Sequence, residues 1–141
     1  MTFRKLNIAK GSKSEINTYE LDRFCSNYNF RVVGIASKLL KYFINNYNPI
    51  KIISYADRRW SDGNLYKRLG FNFVHNTDPN YWYITENGRI HRFNFRKSEL
   101  NKKLEHFDPN LTEYQNMLNN GYCRIWDCGN MKFELGVSNG N

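Results

Sequence analysis

Arg31-Val32-Val33-Gly34-Ile35-Ala36-Ser37-Lys38-Leu39-Leu40-Lys41-Tyr42-Phe43 opens the stretch that decides the fold, and Asn64-Leu65-Tyr66-Lys67-Arg68-Leu69-Gly70-Phe71 closes it. Leu39, Leu40, Phe43 and Ile44 fall at the spacing that builds one apolar helix face, so a helix is predicted over Ser37–Tyr47, stopped by Asn48-Pro49. Lys38 and Lys41 then face solvent. Gly34 and Ala36 leave room beside the backbone where this helix begins, and the N–H groups of its first turn form a ready phosphate cradle. Ile50–Tyr55, with its Ile52-Ile53 pair, reads as an interior strand. A strand, helix, strand order of this length predicts parallel strands joined by a right-handed crossover. Gly70 then ends a short helix in the left-handed conformation.

Outward from this unit, composition narrows the class. A chain of 141 residues suits one domain with its own core. Its net charge of +8 favours a polyanionic partner such as nucleic acid over an acidic protein, although a generally basic surface gives the same count. Aromatic residues reach 16%, which in a small β-containing domain is first of all core. Cys25, Cys123 and Cys128 are odd in number and widely spaced, which argues against a disulfide framework and a zinc site. His75, His91 and His106 supply no metal-ligand spacing. No signal peptide is visible and no apolar run approaches the ~20 residues of a membrane span, so an intracellular protein is expected.

Before the deciding stretch, Thr2-Phe3 begins a strand, the segment to Ser14 is basic, and Ile16–Cys25 reads as a strand carrying Glu20 and Asp22. After it, Asp57-Arg58-Arg59-Trp60-Ser61-Asp62 follows the C-terminal end of a strand, where open α/β sheets place ligands. Arg58, Arg59 and Trp60 can grip phosphate and stack on a base; Asp57 and Asp62 can equally pair with the arginines. Phe71–His75, Tyr81–Thr85 and Ile90–Phe95 read as further strands. Arg89, Arg92, Arg96 and Lys97 lie in the densest basic region, interleaved with Phe93 and Phe95. That pattern suits phosphate contacts with stacking, and a charged strand face produces it too. A helix capped by Ser98 is expected over Ser98–Glu105, and Thr112 with Gln115 makes a capping box for another. Tyr122–Asp127 and Met131–Leu135 read as a hairpin turning at Cys128-Gly129-Asn130.

Two motifs carry a family resemblance. Arg-x-x-Gly-x-Ala at Arg31, Gly34 and Ala36 resembles the pyrophosphate loop of the GNAT acyltransferases, and Leu65-Tyr66-x-x-Leu69-Gly70-Phe71 is similar to their later tyrosine-bearing segment. A closer resemblance is to a GNAT-like domain in the C-terminal part of phage homing endonucleases. It is carried by Met1-Thr2-Phe3, Tyr19-Glu20-Leu21-x-Arg23-Phe24-Cys25, Ser37-Lys38-Leu39-Leu40-Lys41-Tyr42-Phe43, Ser54-Tyr55-Ala56-Asp57-Arg58-Arg59-Trp60-Ser61, Pro79-Asn80-Tyr81-Trp82 and Gly121-Tyr122-x-Arg124-Ile125-Trp126-Asp127-Cys128-Gly129-Asn130. A looser similarity, through Ser54, Ala56, Asp57, Gly63 and Tyr66, is to the phage Mom proteins, GNAT-fold enzymes that modify DNA bases.

The resemblance implies a mixed α/β GNAT-like fold over 1–141, with a core over 1–85 and a basic helix-and-hairpin extension over 86–141. It also implies a shortened start, leaving an open sheet edge for a second copy or another chain to cover. Two functions follow. One is a DNA-associated module of homing-endonuclease origin, working in the host cytoplasm without a nuclease centre, since no nuclease motif is legible. Arg58, Arg59, Trp60, Arg89, Arg92, Arg96 and Lys97 would be its contacts. The other is an acyltransferase, or a Mom-like nucleic-acid-modifying enzyme. In this reading Arg31, Val33, Gly34, Ile35, Ala36 and Ser37 hold acyl-CoA such as acetyl-CoA, and Tyr66 is the general acid. Glu20 and Asp57 are then the carboxylate candidates, with no metal.

Overall fold

The computed structural model describes residues 1–6, 16–27, 29, 30 and 32–137, which gather into two compact units. The larger comprises Met1–Thr77 and Gly129–Asn141, the smaller Asp78–Cys128. The architecture is mixed α/β, with one sheet in each unit.

The larger unit contains β1 (Thr2–Lys5), β2 (Thr18–Arg23), α1 (Ile35–Tyr47), β3 (Lys51–Asp57), α2 (Asn64–Arg68), β4 (Asn72–Asn76) and β8 (Asn130–Gly136). Its sheet runs β1-β2-β3-β8-β4. β1 and β2 are antiparallel, β2 and β3 parallel as the crossover through α1 predicts, and β8 runs antiparallel to both its neighbours. The helix begins two residues earlier than the pattern indicates and ends where expected: Asn48 turns left-handed (φ 45°) and its N–H donates to Ile44 O. Leu40 and Phe43 are buried on Leu21, Ile52, Ala56, Phe71 and Phe133, while Lys38 and Lys41 are exposed. Gly70 (φ 84°) closes α2, and Phe71 N–H reaches back to Tyr66 O at 3.0 Å.

The smaller unit holds β5 (Tyr81–Thr85), β6 (Gly88–His91), α3 (Lys97–Leu100), α4 (Glu113–Asn119) and β7 (Arg124–Trp126), with sheet order β6-β5-β7. Tyr81 and Tyr83 alternate inward from β5 onto Phe95, Leu100, Leu104 and Met117. The capping box forms as read, Thr112 Oγ1 accepting from Gln115 N–H. Asn116, buried on α4, accepts from Asp108 N–H at 2.8 Å and donates to Asp108 O at 2.9 Å, pinning the loop before the helix.

Three expectations are corrected. The hairpin does not form: β7 pairs with β5, whereas β8 enters the larger sheet between β3 and β4. Cys128-Gly129-Asn130 reverses nothing locally, because β8 carries Phe133 into a site with two strand partners and a buried aromatic cluster. The expected helix-and-hairpin extension over 86–141 therefore gives its last strand to the central ladder. The strand expected over Ile90–Phe95 stops at His91, whose Nδ1 accepts from Phe93 N–H and starts a 3₁₀ turn over Arg92–Phe95. The helix expected over Ser98–Glu105 is the single turn α3, with Arg96 and not Ser98 at its N-cap.

Gly63 shows how tightly β8 is seated. Its φ is +76°, and a Cβ there would lie 2.3 Å from Phe133 Cζ. Gly34, at φ +73°, faces open space. Gly63→Ala should cost roughly 2–4 kcal/mol in denaturant unfolding, from overpacking added to left-handed strain. Gly34→Ala should cost only about 1 kcal/mol, the conformational part alone. Equal costs would contradict this packing.

Candidate functional site

The larger unit presents one candidate. Gly34 caps α1 with no side-chain cap and no acidic residue in the first turn, and the first intrahelical bond runs from Lys38 N–H to Gly34 O at 3.0 Å. The N–H groups of Ile35, Ala36 and Ser37 precede that bond, so the positive end of a thirteen-residue helix is turned outward. Beside it β2 and β3 part company. Their ladder covers Thr18–Lys51 to Glu20–Ile53, after which Ser54 Oγ donates to Leu21 O at 2.8 Å. A cleft of about 330 Å³ lies there, lined by Phe24, Ser26, Val32, Gly34, Ile35, Ala36 and Ser37 on one side and Leu65, Arg68 and Leu69 on the other.

The structure thus brings together four of the six loop residues read from sequence. Val33 is exposed and does not line the cleft, and Arg31 lies outside the described residues. Tyr66 is half-buried against the core: its ring stacks on Phe133 at 5.0 Å and its hydroxyl donates to Tyr55 O at 3.3 Å. Glu20 is buried and held by Arg4 through Nη2 at 2.8 Å and Nε at 3.2 Å. Asp57 Oδ1 accepts from Arg59 N–H at 2.8 Å. None of these three lines the cleft. Arg68 does, a cation that the sequence reading passed over. Leu65, Arg68 and Leu69 share one face of α2 at spacings of three and four, which was the available signal.

In the turn after β3 the expected pairing of an arginine with a carboxylate forms for Arg59. Arg59 lies 3.8 Å from Asp57 Oδ2, and its guanidinium sits 5.4 Å from the Trp60 ring, which is 80% exposed.

The smaller unit presents the second candidate. On β5 Trp82 and Ile84 alternate with the buried Tyr81 and Tyr83, and pairing sets Trp82 opposite His91 and Ile125, and Ile84 opposite Arg89. The Arg89 guanidinium lies 5.4 Å from the Trp82 ring. His91 meets Trp82 edge-on at 5.7 Å and Phe93 at 4.8 Å, so three rings follow one another along the surface. Arg92 and Arg96 lie 5.5 and 5.1 Å from the Phe93 ring. Lys97 is exposed at the start of α3. Between Gly88 and Ser98 there are four cations and no carboxylate, and among the described residues no ion pair engages Arg89, Arg92, Arg96 or Lys97.

Arg124 is the contrasting cation of this unit. Its guanidinium lies 4.3 Å from the Tyr81 ring and 4.0 Å from that of Tyr114. Nε donates to the Tyr83 hydroxyl at 3.1 Å, and Nη2 is 3.8 Å from Glu113. Glu113 Oε1 in turn accepts from the hydroxyls of Tyr81 and Tyr83. This network is spent on structure. Burial, with donation to Glu113, pushes the Tyr83 phenol well above its ordinary value of 10.0.

The charge is unevenly shared. Asp78–Cys128 holds seven Lys or Arg and seven Asp or Glu, so the excess of +8 belongs to the larger unit, and the arginine strip is a local concentration within a neutral one. Among the described residues no group of three His, Cys, Asp or Glu is placed to hold a metal ion, and no helix is long and apolar enough to cross a membrane. No family model matches the chain, and no curated protein matches its sequence.

The Tyr83 shift carries a sign. Below its unfolded value both states hold the proton; above it the unfolded chain releases the proton while the folded one keeps it. Stability should therefore fall as pH rises past about 10. Denaturant melts on either side of that value should show the fall in the wild type and a flatter profile in Tyr83→Phe. Identical profiles would remove Tyr83 as the cause.

Proposed function

We propose that this protein binds nucleic acid and that the surface from Trp82 through Lys97 makes the contact. The observation that carries the reading is the set Arg89, Arg92 and Arg96, each over an aromatic ring and none paired with a carboxylate among the described residues. An unpaired surface guanidinium keeps its donors for phosphate, and the ring beneath orients it at little entropic cost. The +8 excess on the larger unit adds a field that draws polyanions to the molecule. Arg58, Arg59 and Trp60 are a further proposed contact, in which Arg59 lies beside both Asp57 and the Trp60 ring. The resemblance to the GNAT-like module of phage homing endonucleases agrees with this reading and points to DNA, inside a host cell. A second copy or another chain along β1 is the structural partner it implies.

A second reading is favoured by the cleft of the larger unit. An uncapped helix N-terminus, a glycine facing open space and Arg68 across the gap fit a pyrophosphate, so Gly34, Ile35, Ala36, Ser37 and Arg68 would hold acyl-CoA there. The bound thioester would supply an activated acyl group. Tyr66, with its hydroxyl on Tyr55 O, would have to turn toward that cleft to act as an acid.

Binding of a labelled DNA should weaken steeply with salt, and replacing Arg89, Arg92 and Arg96 together by Ala should flatten the slope of log K against log salt by up to about 2. A wild type that binds neither DNA nor RNA at low salt ends the reading. For the cleft, calorimetry with acetyl-CoA should show binding that Arg68→Ala and Gly34→Val both abolish and Tyr66→Phe preserves. No heat at millimolar ligand would remove the second reading.

A further inference from the structure

We infer that the strip on the smaller unit takes single-stranded nucleic acid in preference to duplex, with a base stacked at Phe93. The inference rests on the nucleic-acid reading above and goes further by naming the form of the ligand.

Two observations lead there. The first is what the strip offers. Phe93 is 55% exposed at the 3₁₀ turn, His91 lies 4.8 Å from it, and Trp82 continues the series on the sheet face. These are ring faces, and a ring face recognises another flat face. In a duplex both faces of every base are already covered by neighbours; in a single strand they are free to stack on an aromatic ring or on a guanidinium plane. Arg92 and Arg96, over the same ring, provide both the plane and the charge for the adjoining phosphates.

The second is what the unit lacks for a groove. Duplex readers insert a helix or a two-stranded ribbon carrying donors into the major groove. Here α3 has four residues, and α4 has seven with no Lys or Arg among them. The exposed residues of α4 are Tyr114, Gln115, Leu118 and Asn119, a face without the cations that seat a helix between phosphates. The β5–β6 turn carries Glu86, which phosphate repels.

The test uses the full chain and fluorescence anisotropy with labelled oligothymidylate, labelled oligouridylate and a mixed-sequence duplex of equal length, each across a salt series. The single strands should bind at least several-fold more tightly than the duplex. Phe93→Leu keeps an apolar side chain of similar size at an exposed position, so the fold is retained and circular dichroism should be unchanged. It should weaken single-strand binding on the order of tenfold without altering the salt slope, because a stack is lost and no phosphate contact is. Phe93→Tyr should bind like the wild type. Duplex binding equal to or tighter than single-strand binding, or Phe93→Leu binding like the wild type, overturns this inference and leaves the nucleic-acid reading intact. Failure to bind any of the three probes overturns both.

Discussion

Phe133 has to be covered from both sides, and the larger unit is arranged around that requirement. It sits on β8 with no exposed surface, Tyr66 stacked on its ring and Phe73 edge-on at 5.9 Å. β8 meets β3 along all seven residues, from Lys51 opposite Gly136 to Asp57 opposite Asn130, and meets β4 on its other side. Without this strand the sheet would break into two pieces, and α2 would lose the aromatic surface beneath it. Gly63 records the constraint at the level of one atom, since any side chain there would enter the Phe133 ring. The smaller unit is thus an insertion in the chain between β4 and the strand that completes the first sheet.

That arrangement separates two kinds of surface. In the larger unit the parallel strands β2 and β3 pair for three residues only, and the helix between them opens its N-terminus onto the resulting cleft. In the smaller unit β5 divides its aromatic residues by alternation. Tyr81 and Tyr83 go inward to Glu113 and Arg124, and Trp82 goes outward to Arg89 and His91. The inward set satisfies itself completely. The outward set leaves its guanidinium donors available, and for that reason it is the proposed contact surface of a unit with no net charge.

Local pattern carried much of this into the sequence. The spacing of Leu39, Leu40, Phe43 and Ile44 specified α1, the Thr112–Gln115 pair specified the start of α4, and the run of arginines among aromatics specified the strip. Long-range choices were not legible. Cys128-Gly129-Asn130 carries a turn signal, and nothing nearby says that β8 prefers β3 and β4 to β7. Glu20 reads as a candidate base from sequence, and nothing local shows that the β1–β2 register sets Arg4 directly opposite it. Phe93 and Phe95, two apart, would share one face of a strand, yet the 3₁₀ turn that starts with the hydrogen bond to His91 leaves Phe93 exposed and buries Phe95. The cleft gathers Phe24, Ser26 and Arg68 from segments some forty residues apart, a meeting that only the folded chain displays.

The outward aromatic-arginine strip of the smaller unit is the proposed place of nucleic-acid binding. Amide chemical-shift mapping by NMR during titration with an unlabelled oligothymidylate tests it most directly. The account predicts that the largest changes fall on Trp82 and on residues 88–97, with the Val32–Ser37 segment unmoved. Changes centred on Val32–Ser37, with residues 88–97 silent, would contradict it.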